Sequence, residues 1–151
     1  MAHVTAWPTP KVELALGSDP YDITPTWVDV TAYVRDDPGV QITHGSIGPI
    51  GSPVTPSTCR FELDNRTRIC DPSYAAGPYY GQLKARCQLR VTATWAAVDY
   101  VRFRGFITGP QMIGTEGGRD SVVGIIAYDA LSILARTLLS TGADGPIGDY
   151  I

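Results

Sequence analysis

Residues 58–91 read TCRFELDNRTRICDPSYAAGPYYGQLKARCQLRV, and the fold turns on how this stretch is read. Cys59, Phe61 and Leu63 alternate with Arg60, Glu62 and Asp64, the period of two that marks a strand with one buried face. Asp64-Asn65 halts the alternation, because both side chains bond their own backbone and tolerate turn geometry. Asp71-Pro72 and Gly77-Pro78 add further breaks. From Cys87 the alternation resumes, with Cys87, Leu89, Val91, Ala93 and Trp95 on one face and Gln88, Arg90, Thr92 and Thr94 on the other. Two strands thus frame a long, conformationally pinned excursion that carries Tyr79-Tyr80. Nothing in it is arranged as an activated nucleophile or a metal ligand; it reads as a surface built to touch another protein.

Outward in both directions the same pattern recurs. Val12, Leu14 and Leu16 share a face in a first strand over residues 11–16, and Gly17-Ser18-Asp19-Pro20 ends it. Residues 27–35 predict a second, with Val28, Val30, Ala32 and Val34 opposite Trp27, Asp29, Thr31 and Tyr33. Asp36-Asp37-Pro38-Gly39 is a turn, residues 40–44 a short strand, and the Gly- and Pro-rich residues 45–57 a contact-sized loop. Ala96-Ala97 reverses the chain into residues 98–108, where Val101, Phe103 and Ile107 face one way and Gly105 marks a bulge or sharp bend. Residues 111–113 continue pairing briefly. Residues 121–128 are apolar on both faces, which calls for a cover, and Asp129 as N-cap with apolar residues at 131, 134, 135 and 138 predicts a helix to supply it. The expected organisation is an extended arm (1–10), one domain (11–141) with a helix over 129–139 packed on its sheet, and a Gly-rich tail (142–151). The expected fold is mainly β: a small barrel or sandwich of about seven strands.

At 151 residues the chain is long enough for one independent core, and 16 glycines with 12 prolines favour turns over long helices. The net charge of −3 points to neither nucleic acid nor an anionic membrane as partner. Its distribution is uneven: residues 1–57 carry −4, 58–110 carry +4 and 111–151 carry −3. Acidic flanks around a basic middle are suited to complement one another between copies. They fit equally a set of strand faces kept in water. Cys59, Cys70 and Cys87 match no zinc spacing; buried free thiols are the default, and a Cys59–Cys87 disulfide requires neighbouring strands. The first ten residues have neither the basic nor the apolar run of a secretory leader, and no segment reaches the roughly 20 apolar residues of a membrane span.

Catalytic candidates are few. His3 sits in the arm and His44 at a strand end, each without an evident orienting partner. The carboxylates fall mostly in turns, and Gly114-Thr115-Glu116-Gly117-Gly118 lacks the lysine of a phosphate loop. No enzyme activity, metal or cofactor is expected. Tyr79 and Tyr80, with Trp7, Trp27 and Trp95, suit either protein contact or sugar stacking, and protein contact weighs more; Trp95 lies on the apolar face and is expected in the core.

Seven pieces in order then acquire a meaning together: WVDVTAYVR (27–35), FELDNR (61–66), CDPS (70–73), GPYY (77–80) with Leu83, RV (90–91), FRGF (103–106) and YDAL (128–131). In this order, over residues 27 to about 139, they resemble the N-terminal region of minor tail proteins of long-tailed bacteriophages of actinobacteria. The resemblance implies a virion structural protein of the tail tip, similar in role to baseplate hub or distal tail proteins, which form rings from small tube-like β-barrels. Relatives are commonly longer, and their receptor-binding or cell-wall-cleaving parts have no counterpart here. The expected partners are further copies of the chain, as a trimer or hexamer, and other tail proteins such as tail tube, tape measure or hub, in a virion tail assembled in the host cytoplasm. Arg66, Arg68, Tyr79 and Tyr80 are the expected interface residues, since Arg and Tyr dominate binding hot spots. A carbohydrate-binding β-domain is the alternative.

Overall fold

The alternation in residues 59–63 becomes one wall of a core: Cys59, Phe61 and Leu63 are buried while Arg60 points to solvent. A computed structural model describes residues 7–45, 55–114 and 120–134. Residues 1–6 of the expected arm with His3, residues 46–54 of the expected loop, residues 115–119 of the expected turn, and the rest of the expected helix and tail from residue 135 on lie outside the described residues.

Among the described residues eight strands form one antiparallel sheet: β1 (Thr9–Leu14), β2 (Val28–Asp29), β3 (Gln41–Thr43), β4 (Thr58–Asp64), β5 (Gln88–Trp95), β6 (Val98–Ile107), β7 (Gln111–Ile113) and β8 (Val122–Tyr128). The order is β2-β1-β5-β6-β8-β4-β3, with β7 also on β8. One helical stretch begins at Ala130, so the described residues are mainly β with a helix at their C-terminal end.

β6 and β7 together connect the two halves of the sheet. Along residues 98–106 β6 pairs with β5; at Phe106 and Ile107 it also meets Tyr128 and Ala127 of β8, and β7 continues along that strand from Gly124 to Val122. The sheet curls so that Val12 and Leu14 of β1 and Leu89 and Val91 of β5 share one core with Phe61 and Leu63 of β4 and Val123 and Ile125 of β8. The segment that follows β2 reaches β4 through a bridge, Val34 to Leu63, beside a bond from the Arg35 N–H to the Glu62 carbonyl (2.9 Å). The hand-over between partners needs Gly105: a Cβ there would stand 2.2 Å from the Tyr128 carbonyl oxygen.

Three strand expectations are corrected. Residues 27–35 do not run as one strand; pairing stops at Asp29 and a single 3-10 turn follows at Thr31–Tyr33. The cause is local, because the Asp29 carboxylate accepts from both the N–H (2.9 Å) and the hydroxyl (2.6 Å) of Thr31. The Thr31 Oγ1 in turn accepts the Val12 N–H at 2.9 Å, replacing a backbone partner. Val101 does not share a face with Phe103. Val91 opposes Phe103 but Thr92 opposes Val101, so Arg102 is an extra, bulged residue and every side chain before it on β6 changes face. Trp95 is not core; it is 44% exposed because the β5–β6 hairpin runs on beyond the packed body. The three thiols are free and buried, as expected by default, and the condition for a Cys59–Cys87 disulfide is not met, since β6 and β8 lie between their strands.

The helix start is as expected, with the Asp129 carboxylate accepting the Leu131 N–H (3.1 Å) and the Ser57 N–H (2.8 Å). Leu131 and Leu134, expected to cover β8, are exposed.

The hairpin turns on two non-glycine residues in left-handed conformation, Ala96 (φ 49°) and Ala97 (φ 63°). Each costs on the order of 1 kcal/mol against a residue suited to it. Replacing them with Asn-Gly is expected to raise the unfolding free energy by about 1–2 kcal/mol in urea titration.

Candidate interaction surface

The excursion between β4 and β5 is held by hydrogen bonds spaced three residues apart. The N–H groups of Arg68, Asp71, Tyr74, Gly77 and Tyr80 donate to the carbonyls of Asn65, Arg68, Asp71, Tyr74 and Gly77 at 2.8–3.3 Å. Turn follows turn, so residues 65–80 form a rigid coil without a regular helix or strand. Asn65 anchors it from below. Its side chain is buried, accepts the Cys70 N–H at 3.0 Å and donates to the Ser121 hydroxyl at 3.2 Å, while its own N–H reaches the Ser121 carbonyl at 2.9 Å. Leu83 and Cys70 pin the coil to the core.

The four residues singled out from the sequence fall on this coil and divide by role. Arg66 is exposed and held against the Asp64 carboxylate. Arg68 adopts φ 59°, pairs with Asp71 at 2.8 Å and lies over the Tyr74 ring at 4.3 Å. Its hydrogen bond holds the Asp71 carboxyl below its usual range, helped by the Ser73 N–H. Tyr79 packs against the core, and burial pushes its hydroxyl pKa up. Tyr80 is 54% exposed and is the member of the pair that presents its ring outward.

Three surface features were not foreseen. Beside Arg66, a cleft of about 340 Å³ gathers Asp36, Asp37, Asp64 and Asp120 with Arg35. The second is a covered polar patch on the outer face of β1 and β5. There Glu13, almost fully buried, pairs with Arg90 and Lys11, each at 2.7 Å, and Arg90 lies over the Trp27 ring at 4.5 Å. The segment before Trp27 is tied down by the Gln88 amide, which donates to the carbonyls of Pro20 (3.1 Å) and Asp22 (2.7 Å). The third is the hairpin end, where Trp95, Val98, Tyr100 and Val101 are exposed and Pro8, Trp95, Tyr100 and Arg102 border a depression of about 520 Å³. Val101 and Trp95 were expected inside because one bulge and the missing cover beyond the body leave no trace in the alternation.

The remaining chemistry is quiet. Burial pushes the thiols of Cys59 up to about 12 and of Cys70 and Cys87 up to about 11, so they are protonated at neutral pH. His44 is exposed. No group of three or more His, Cys, Asp or Glu among the described residues is placed to hold a metal. In comparison with known proteins, the chain matches no family model and no curated protein.

Two outcomes are expected. Asn65→Ala leaves the buried Cys70 N–H without its acceptor and should cost about 2–4 kcal/mol by chemical denaturation. Asp71 contributes stability that is full above the ordinary carboxylate pKa of about 4 and is lost as pH falls through its lowered folded value. Between pH 7 and 3 the melting temperature of wild type should therefore drop further than that of Asp71→Asn.

Proposed function

We propose that this chain is a structural subunit of a bacteriophage tail tip. It joins or forms a ring of the hub or distal-tail kind between tail tube and host-attachment apparatus, and it works by assembly rather than by turnover. The observation that carries the reading is the rigid coil of residues 65–80: a long irregular segment fixed turn by turn, with Arg66, Arg68 and Tyr80 outward, binds a partner without a large ordering cost. The ordered run of sequence pieces resembling minor tail proteins supports it independently. Further copies of the chain and other tail proteins are the partners proposed.

A carbohydrate-binding domain is the second reading, favoured by the half-exposed Trp95 and Tyr100 beside one depression. Arg102 is the single charged group on that depression's lining, whereas sugar hydroxyls are fixed by several convergent donors and acceptors. Protein contact is therefore preferred.

Immunogold labelling of purified virions from the phage that carries this gene tests the proposal. Label at the tail tip is expected; label on the capsid, or none, contradicts it. Arg66→Glu combined with Tyr80→Ala should lower the yield of complete tails at least tenfold, as hot-spot losses of about 1–3 kcal/mol imply. The melting temperature of the purified variant should stay within about 2 °C of wild type, since both side chains are exposed.

A further inference from the structure

Ala93 and Trp95 on β5, and their partners Tyr100 and Val98 on β6, stand on the face that Leu89, Val91 and Phe103 bury lower down. The core row therefore continues up the hairpin with no strand of the sheet over it: Tyr100 is 51% and Val98 50% exposed. Beside it, β6 meets β8 only at Phe106 and Ile107, so the outer edge of residues 98–104 has no strand partner among the described residues. Such an edge offers ready backbone pairing and is ordinarily blunted or covered. The bulged Arg102 projects at the border of this face and takes part in no ion pair among the described residues. The tip keeps Ala96 and Ala97 in a disfavoured conformation, and strain of that kind persists where a surface serves contact.

The same chain carries a complement. Among the described residues, the cleft at Asp36, Asp37, Asp64 and Asp120 holds more carboxylates than its Arg35 and Arg66 balance, and Arg66 is already held by Asp64. Asp36, Asp37 and Asp120 take part in no ion pair among the described residues.

We propose that the hairpin face of one copy docks head to tail on a second copy, with Arg102 directed into that copy's cleft at Asp36, Asp37 and Asp120. The apolar row supplies affinity and the opposite charges fix orientation. Because the two patches differ, each docked copy still offers one of each, and repetition closes a ring or extends a filament. This rests on the ring-subunit reading and names the contact it uses.

Sedimentation velocity of the purified chain, up to about 1 mM, tests it. Wild type is expected to self-associate, more weakly as salt is raised because the charge pairing is screened. Arg102→Glu, and separately Asp36→Arg with Asp37→Arg, should each weaken association at least tenfold with unchanged melting temperature. An equimolar mixture of the two variants should recover association, because the intact hairpin meets the intact cleft and the two reversed sites again carry opposite charges. Trp95→Ser should weaken association as well, through the apolar row alone. A wild type that stays monomeric throughout, variants that associate as wild type does, or a mixture that recovers no association overturns the proposal. Tail-tip label on virions with a monomeric wild type sinks this contact alone; self-association without such label sinks the tail reading alone.

Discussion

A single close approach, the backbone of Gly105 against the Tyr128 carbonyl, lets one sheet enclose one core. β6 begins as the partner of β5 and ends, at Phe106 and Ile107, beside β8. Here the change of partner brings the two backbones nearer than a Cβ permits, which glycine alone allows. Once it does, β1 and β5 face β4 and β8, and the inward rows of four strands become one cluster. The Val34 bridge to Leu63 then ties the segment after β2 to β4. Without the hand-over, β5–β6 and β4–β8 would be two separate antiparallel ribbons, each with an apolar face left in water.

That arrangement explains where the chain places its irregular segments. The coil of residues 65–80 leaves β4 at Asp64 and is fastened through Asn65 to Ser121, at the start of β8. The hairpin leaves the body at the bulge. One is stiffened by successive turns, the other by its ladder, so both present surfaces that need little ordering on contact. Loop 45–57 is pinched at its described base, where the Gly45 N–H donates to the Ser57 hydroxyl at 3.0 Å. Ser57 in turn is tied to Asp129, which joins the loop base and β4 to the start of the helix.

Much of this was legible in the alternation. Residues 59–63 and 87–91 gave their buried faces correctly because uninterrupted strands repeat every two residues and both are interior to the sheet. Asp129 was readable as a cap because an Asp before an apolar helical run has few other uses. What failed has physical reasons. Residues 27–35 alternate like a strand, but Asp29 and Thr31 supply a side-chain turn that outcompetes the ladder. Val101 was placed on the wrong face because a bulge is one extra residue and no residue type announces it. Glu13 reads as a solvated outer position, yet residues distant in sequence, Arg90 and the segment held by Gln88, fold over it. The interface candidates on the coil were visible as residue types; that Tyr79 leans on the core while Tyr80 turns outward depends on the local turn sequence.

Equilibrium unfolding of Gly105→Ala probes the hand-over of β6 between its two partners. A methyl group there would press on the Tyr128 backbone and on the Phe103 ring, 2.8 Å away. A loss of at least about 3 kcal/mol is expected, with reduced amide protection at Ile107 and Thr108, whose N–H groups bond Cys87 and Ile126. A loss below about 0.5 kcal/mol with those amides still protected would show that β6 does not pass between its two partners as described.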